Sequence, residues 1–170
     1  MEQVILVNDR DEAVGIEEKL QAHLKGRLHR AFSVFVFDDR NRLLLQRRAD
    51  TKYHSGGCWS NTCCSHPRPG ESTESAVHRR LVEEMGFDCA IKETSTFTYY
   101  LEVDHNLFEH EYNHAYVGVF DGDPNPLAAE VSAWKWANKE NLSKDIQAHP
   151  ELYTSWFREL LPGILTSCWF

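Results

Sequence analysis

Asn61-Thr62-Cys63-Cys64-Ser65-His66-Pro67 leads, through Arg68-Pro69-Gly70-Glu71, into Ser72-Thr73-Glu74-Ser75-Ala76-Val77-His78-Arg79-Arg80-Leu81-Val82-Glu83-Glu84-Met85-Gly86. The second part reads as a helix over residues 73–85. Ser72 can cap its first turn, Glu74 suits the positive end of the helix dipole, and Gly86 supplies a C-terminal stop. Val77, Leu81 and Met85 recur at i, i+4 and i+8, so they form its buried stripe. Arg80 and Glu84 are one turn apart, which sets a cation and a carboxylate on one face. The first part sets an imidazole, His66, two residues from a thiol, Cys64.

Strand signals surround this helix. Val4-Ile5-Leu6-Val7 is a short apolar run ended by Asn8-Asp9. Ala31-Phe32-Ser33-Val34-Phe35-Val36-Phe37 is β-branched and aromatic, Asp38-Asp39-Arg40-Asn41 is turn material, and Leu43-Leu44-Leu45-Gln46-Arg47 returns, which predicts a hairpin. Residues 96–103, 115–120 and 134–136 read as further strands. A last helix is expected from Pro150, a residue suited to the first helical position, to about Leu161 before Pro162-Gly163. Strands on both sides of one long helix, with a second helix at the end, give an α/β or α+β sandwich.

A chain of 170 residues is the length of one domain, and at that size roughly 70% of the unfolded surface can be buried. A formal net charge of −8 argues against a nucleic-acid partner, which would need broad attraction to phosphate. No apolar run approaches the ~20 residues of a membrane span, and Met1-Glu2-Gln3 lacks the basic, then apolar, opening of a secretion signal. Five cysteines, Cys58, Cys63, Cys64, Cys89 and Cys168, cannot all pair internally, so free thiols in a reducing cytosol are the simplest reading.

The residues that could hold a metal are His23, His29 and His66 with Glu109 and Glu111. If Phe108-Glu109-His110-Glu111-Tyr112 is extended, i and i+2 share a face and both carboxylates aim into one place. Two such carboxylates repel unless a cation or a shared proton lies between them. Three imidazoles and two carboxylates would suit Mn, Mg, Fe or Zn and leave an octahedral position open. By spacing alone, a metal site and a solvated strand face with unrelated histidines are equally good readings. A structural zinc at Cys63, Cys64 and His66 lacks a second pair of ligands.

The helix and its approach are similar to the Nudix pattern G-x5-E-x7-R-E-U-x-E-E-x-G-U, where U is apolar. The register runs Ser65, Glu71, Arg79, Arg80, Leu81, Glu83, Glu84, Gly86, Phe87. Ser65 replaces the glycine and Arg80 replaces the glutamate that binds metal in the hydrolases. The whole chain from Lys19 to Trp156 resembles the type I isopentenyl diphosphate isomerases, metal-dependent members of the Nudix fold. The motifs that carry the resemblance are Lys19-x3-His23, Arg27-Leu28-His29-Arg30-Ala31-Phe32, Arg47-Arg48-Ala49, Trp59 to Pro67, Gly70-Glu71-Ser72, Arg79-Arg80 with Glu83-Glu84-x-Gly86, and Glu109-His110-Glu111.

That resemblance implies a Nudix-type α/β/α sandwich with a mixed sheet, as one domain over residues 1–170 whose first 30 residues contribute metal and phosphate ligands. It implies a metal site of Mn2+ or Zn2+ type at His23, His29, His66, Glu109 and Glu111, and paired catalytic residues at Cys64 and Glu111. Lys19, Arg48, Lys52 and Arg80 would hold the diphosphate of isopentenyl diphosphate, with Glu84 and the Cys64 carbonyl holding its Mg2+. Tyr99 and Trp156 would line the isoprenoid pocket, with Tyr99 able to relay a proton. Monomer and homodimer both remain open.

The implied reaction protonates an unactivated alkene and removes a proton from a neighbouring carbon, so two acid/base groups must flank a flat substrate. The tertiary cation between these steps is destroyed by water, which demands a closed apolar pocket. An aromatic face such as Trp156 can stabilise the cation by about 2 kcal/mol. Without the resemblance, Arg48 and Lys52 read as surface charges, Trp156 reads as core at helical spacing with Leu152 and Leu160, and Cys58, Cys63, Cys89 and Cys168 read as structural. The rival classes are a Nudix hydrolase, which Arg80 and the Cys64/His66 pair argue against, and a non-catalytic metal or nucleotide sensor, which has no use for a thiol beside a cationic cluster.

Overall fold

The structure is a computed structural model and describes residues 1–166. Strand β1 (Gln3–Val7) pairs antiparallel with β2 (Ala13–Glu18), which runs directly into helix α1 (Lys19–Leu24). Then follow β3 (His29–Phe37), β4 (Leu43–Arg48), the short β5 (Trp59–Ser60) and β6 (Cys63–Ser65), and helix α2 (Thr73–Arg80). The chain ends with β7 (Ile91–Val103), β8 (Leu107–Val119), β9 (Val131–Ala137), α3 (Lys139–Ala148) and α4 (Ser155–Thr166).

β3 organises the sheet. Along one side it pairs in parallel with β8 for its whole length. Along the other it meets β1 at His29, β6 at residues 32–34 and β4 at Phe37. The other pairings between these strands are antiparallel, so the sheet is mixed. The hairpin expected between β3 and β4 is therefore real at its turn but splays at once. Asp38 holds the turn by accepting from the Arg40 and Arg42 backbone N–H groups and from the Arg42 guanidinium.

Side chains of β3 alternate between two cores, as a strand buried on both faces must. Phe35 and Phe37 join Leu43, Leu45, Trp156, Phe157 and Leu160 beneath α4. Phe32, Val34 and Val36 join Val77, Leu81 and Met85 beneath α2. Helices thus cover both faces, and the result is an α/β/α sandwich.

The helix over 73–85 has the expected extent but two geometries: its last turn, Leu81–Met85, is a π-turn. Ser72 caps the start by accepting from the Ser75 N–H. Gly86 ends it at φ 73°, and a Cβ there would lie 2.1 Å from the Asn125 carbonyl oxygen, so both conformation and space demand glycine.

The last helix departs from the sequence expectation. Pro150 opens a 3-10 turn, Pro150–Leu152, and α4 starts at Ser155 and continues through Pro162 and Gly163. A mid-helix proline costs ~3 kcal/mol, but Trp156, Phe157, Leu160, Leu161 and Ile164 are all buried, at roughly 1.5–3 kcal/mol for a large side chain. Burial wins. Leu152 is exposed and outside α4, so it is no neighbour of Trp156 on a helix face. β2, α1 and α3 had no counterpart in the sequence expectation, and β7 begins five residues before the strand read from it.

Candidate active site

The odd-numbered face of β3 is apolar at its C-terminal end and polar at its start. His29 opens the strand beside Glu111 of β8, and Ser33 lies opposite Cys64 of β6. Glu111 in turn faces Tyr99 across the β7–β8 ladder. Glu109, Glu111 and Asn113 alternate along β8 with their side chains buried on one face, as the extended reading of Glu109-His110-Glu111 requires. His23 comes from α1, whose start Glu18 caps by accepting from the Leu20 and Gln21 N–H groups. His66 follows β6 directly.

Donor atoms of His23, His29, His66, Glu109 and Glu111 all lie within 4.8 Å of one another, and all five residues are buried. The tautomers are set from outside. His23 Nδ1 donates to the Lys19 carbonyl at 2.7 Å, and His29 Nδ1 donates to the Arg27 carbonyl at 2.7 Å. Each therefore turns an Nε2 lone pair inward, the arrangement that metal-binding histidines adopt. His29 Nε2 and His66 Nε2 stand 3.1 Å apart, and His66 Nε2 is 3.1 Å from Glu111 Oε1. His23 Nε2 is 3.3 Å from Glu109 Oε2 yet has no hydrogen-bond partner, and neither has His66 Nδ1. Converging lone pairs and carboxylates, buried and partly unpartnered, fit a divalent cation.

Electrostatics point the same way. Burial lowers His29 to about 3, with the neighbouring His66 adding to the effect, which keeps it a neutral ligand. Burial, reinforced by the charge of Glu111, raises Glu109 to about 7. Burial opposes ionisation of Glu111 too, but its hydrogen bond and electrostatic contact with His66 prevail and hold it well below the usual carboxylate range.

The cluster forms one wall of a pocket with about 540 Å³ of empty volume. Every site residue read from the sequence lines this pocket except His29, which sits behind it, fully buried. On a second wall Cys64 Sγ lies 3.1 Å from Asn61 Oδ1 and 3.3 Å from Ser33 Oγ. Burial pushes the Cys64 thiol up to about 12 against the pull of those two contacts. The Tyr99 hydroxyl donates to Glu111 Oε2, which also accepts from Asn113 Nδ2 at 2.9 Å. Cys63, one residue from Cys64, points into the core beneath α2.

The cationic wall is internally compensated. Lys19 pairs with Glu2 at 3.2 Å, and Lys52 pairs with Glu130. Arg80 reaches Glu83 at 2.7 Å, Glu84 at 2.5 Å and Glu130 at 3.6 Å. Arg48 lies over the Trp156 ring, 5.1 Å from its centroid.

Residues 27–158 match the NUDIX domain. The chain is 50% identical over 161 residues to isopentenyl-diphosphate Delta-isomerase 2 of Photorhabdus laumondii subsp. laumondii, covering 95% of this chain and 91% of that one. It is 51% identical over 156 residues to isopentenyl-diphosphate Delta-isomerase of Burkholderia multivorans, covering 92% and 89%. The chain belongs to the isopentenyl-diphosphate Delta-isomerase family, within the NUDIX domain. A solved Deinococcus radiodurans protein superposes with a TM-score of 0.81 at 22% identity over 95% of this chain and 98% of that one, and a MutT protein of Methanosarcina mazei with 0.64 at 17% over 80% and 91%. Those two likenesses show the Nudix fold.

In this member of the isopentenyl-diphosphate Delta-isomerase family, several pocket residues escape a sequence reading. Tyr53, His54 and Ser65 line the pocket, Asn113 holds Glu111, and Glu2 and Glu130 neutralise the lysines. Only the alternation of Asn113 with Glu109 and Glu111 signals its position. Cys58, Cys63, Cys64 and Cys89 are free thiols, and Cys168 lies outside the described residues. No helix among the described residues is long and apolar enough to cross a membrane.

Proposed function

We propose that this chain converts isopentenyl diphosphate to dimethylallyl diphosphate by a 1,3-allylic proton shift. The observation that carries this reading is a half-buried thiol, Cys64, sharing one pocket with the carboxylate of Glu111 and a wall of cations. These two residues stand on β6 and β8, the strands on either side of β3. Cys64 lies opposite Ser33 and Glu111 opposite His29, four residues apart along β3, so the two groups enter the pocket from different points of the sheet and can flank a substrate held between them. One of the pair delivers a proton to the terminal alkene carbon, and the other takes one from the carbon nearer the oxygen. Tyr99, hydrogen-bonded to Glu111, relays protons to and from that carboxylate.

Lys19, Arg48, Lys52 and Arg80 bind the diphosphate, exchanging their carboxylate partners for phosphate oxygens. Trp156, at the pocket wall, presents its ring to the cation formed between the two proton steps. Gathering the cations in one wall lets a chain of net charge −8 bind a polyanion. His23, His29, His66, Glu109 and Glu111 would hold Mn2+ or Zn2+, while Glu84 and the Cys64 carbonyl would hold Mg2+ brought with the diphosphate. Such ions would neutralise phosphate charge and make a proton carried at Glu111 more acidic. We place the reaction in a reducing cytosol, because the four described thiols are all free, and in a single domain acting as a monomer or homodimer.

A hydrolase working from the Nudix helix would need a carboxylate where this chain has Arg80. Incubating the protein with labelled isopentenyl diphosphate, Mg2+ and Mn2+ and separating the products distinguishes the two. Dimethylallyl diphosphate is the expected product. Release of inorganic phosphate or diphosphate in its place overturns the assignment.

A further inference from the structure

His54 takes no part in the donor cluster, yet it touches three components of the pocket. Its Nε2 lies 3.2 Å from Glu109 Oε1, on the opposite oxygen from the one that approaches His23. Its ring packs edge-on against Trp156, with centroids 5.6 Å apart, and against Tyr53, with centroids 4.5 Å apart. Its Nδ1 is 3.4 Å from Ser55 Oγ. The residue is 4% exposed, so it is an interior group in a turn that is otherwise largely open to solvent.

The turn around it is pinned. The His54 carbonyl accepts from Arg48 Nη2 at 3.3 Å, and the Ser55 N–H donates to Asp104 Oδ2 at 2.7 Å. Ser55 sits at φ 51°, a conformation that costs energy in a non-glycine residue and that the neighbouring contacts must hold in place. The N–H of a neutral imidazole sits on the ring nitrogen that faces an acceptor. His23 and His29 carry theirs on Nδ1. With a carboxylate oxygen facing its Nε2, His54 carries its own on Nε2.

We propose that His54 is a positioning residue for Glu109. Its Nε2–H engages Oε1 of that carboxylate and leaves Oε2 alone to face the metal cluster. The inference rests on reading the five-residue cluster as a metal site. A ligand carboxylate free to rotate would exchange its oxygens and lose orientation, and outer groups of this kind are generally worth 10–100-fold in metal affinity. The Glu109 carboxylate has no such donor on its own strand, where its near neighbour on the same face is a second carboxylate, Glu111. His54 also links the cluster to Trp156, so the metal-side and apolar walls keep a fixed spacing.

The test is Mn2+ titration of the metal-stripped full-length protein, reading free Mn2+ by electron paramagnetic resonance and melting the metal-free protein in parallel. His54→Phe keeps the ring packing on Tyr53 and Trp156 and deletes the donor. It is expected to bind Mn2+ at least tenfold more weakly, with the melting temperature of the metal-free form close to wild type. His54→Gln restores an N–H near the same place and is expected to recover most of the affinity. Wild-type affinity in His54→Phe, or equal loss in His54→Phe and His54→Gln, overturns the proposal. Should His54→Phe fail to fold, His54→Ala against His54→Gln makes the same comparison. Failure of wild type itself to bind Mn2+ would instead refute the metal site, so the two failures are distinguishable.

Discussion

Arg80 is the residue at which this helix departs from the hydrolase pattern. It stands where a hydrolase carries a metal-binding glutamate, and in this structure it binds Glu83 and Glu84 of the same helix while approaching Glu130. The i, i+4 relation of Arg80 to Glu84, and the i, i+2 relation of Glu109 to Glu111, are legible in sequence because local periodicity dictates them. Glu2, His54 and Glu130 were not legible, because each reaches the pocket from a distant segment with no spacing signal. If Arg48 and Arg80 hold the diphosphate as proposed, each contributes a charge-assisted contact worth ~1.5–3 kcal/mol. Arg48→Ala and Arg80→Ala should therefore each raise KM for isopentenyl diphosphate about tenfold or more, in a salt-sensitive way. Steady-state kinetics at two ionic strengths checks this, and an unchanged KM in both variants would mean that the diphosphate binds elsewhere.

At the scale of elements, the amphipathic helix over 73–85, its cap and its glycine stop follow from sequence, while the π-turn does not. The close approach of Asn125 to Gly86 is a tertiary contact, invisible to local pattern. Gly86→Ala meets the Asn125 carbonyl and a left-handed backbone together, at a cost of ~1–3 kcal/mol or more. Thermal unfolding should show a melting temperature lower by on the order of 5 °C, and an unchanged one would contradict the tight turn. The β3–β4 turn makes a second prediction, in pH. Burial would raise the Asp38 carboxyl, but the Arg42 backbone N–H and guanidinium bonds outweigh it and lower it below its ordinary value of 3.8. A lowered folded-state pKa contributes stability that is present above pH 3.8 and lost as the pH falls through the folded value. Asp38→Asn should thus be less stable than wild type near neutrality, with the difference shrinking in acid. Chemical denaturation across that range reads it, and a difference that grows in acid would refute it.

For the molecule as a whole, the sandwich was legible because strand signals lie on both sides of a helix with one apolar stripe and a second helix follows at the end. The order of strands was not. A hairpin expectation for β3 and β4 hides that they diverge after Phe37 and Leu43, and that divergence is what lets β6 and β8 flank β3. The last helix was misplaced because local rules stop a helix at Pro162, whereas burial against the sheet carries α4 through it. The divergence sets Cys64 and Glu111 on either side of β3, and α4, starting at Ser155, places Trp156 in its first turn at the pocket. The central claim is that this Nudix frame moves a proton by way of Cys64 and does not cleave a phosphate bond. Its most direct measurement is turnover of isopentenyl diphosphate in D2O by the wild type, Cys64→Ala and Cys63→Ala, followed by NMR of the product methyl groups. The wild type and Cys63→Ala should place deuterium in a methyl group of dimethylallyl diphosphate. Cys64→Ala should lose 10²–10⁴-fold in rate, as expected when a positioned acid/base group is removed. Wild-type rates in Cys64→Ala, or a product methyl free of deuterium, would contradict the account.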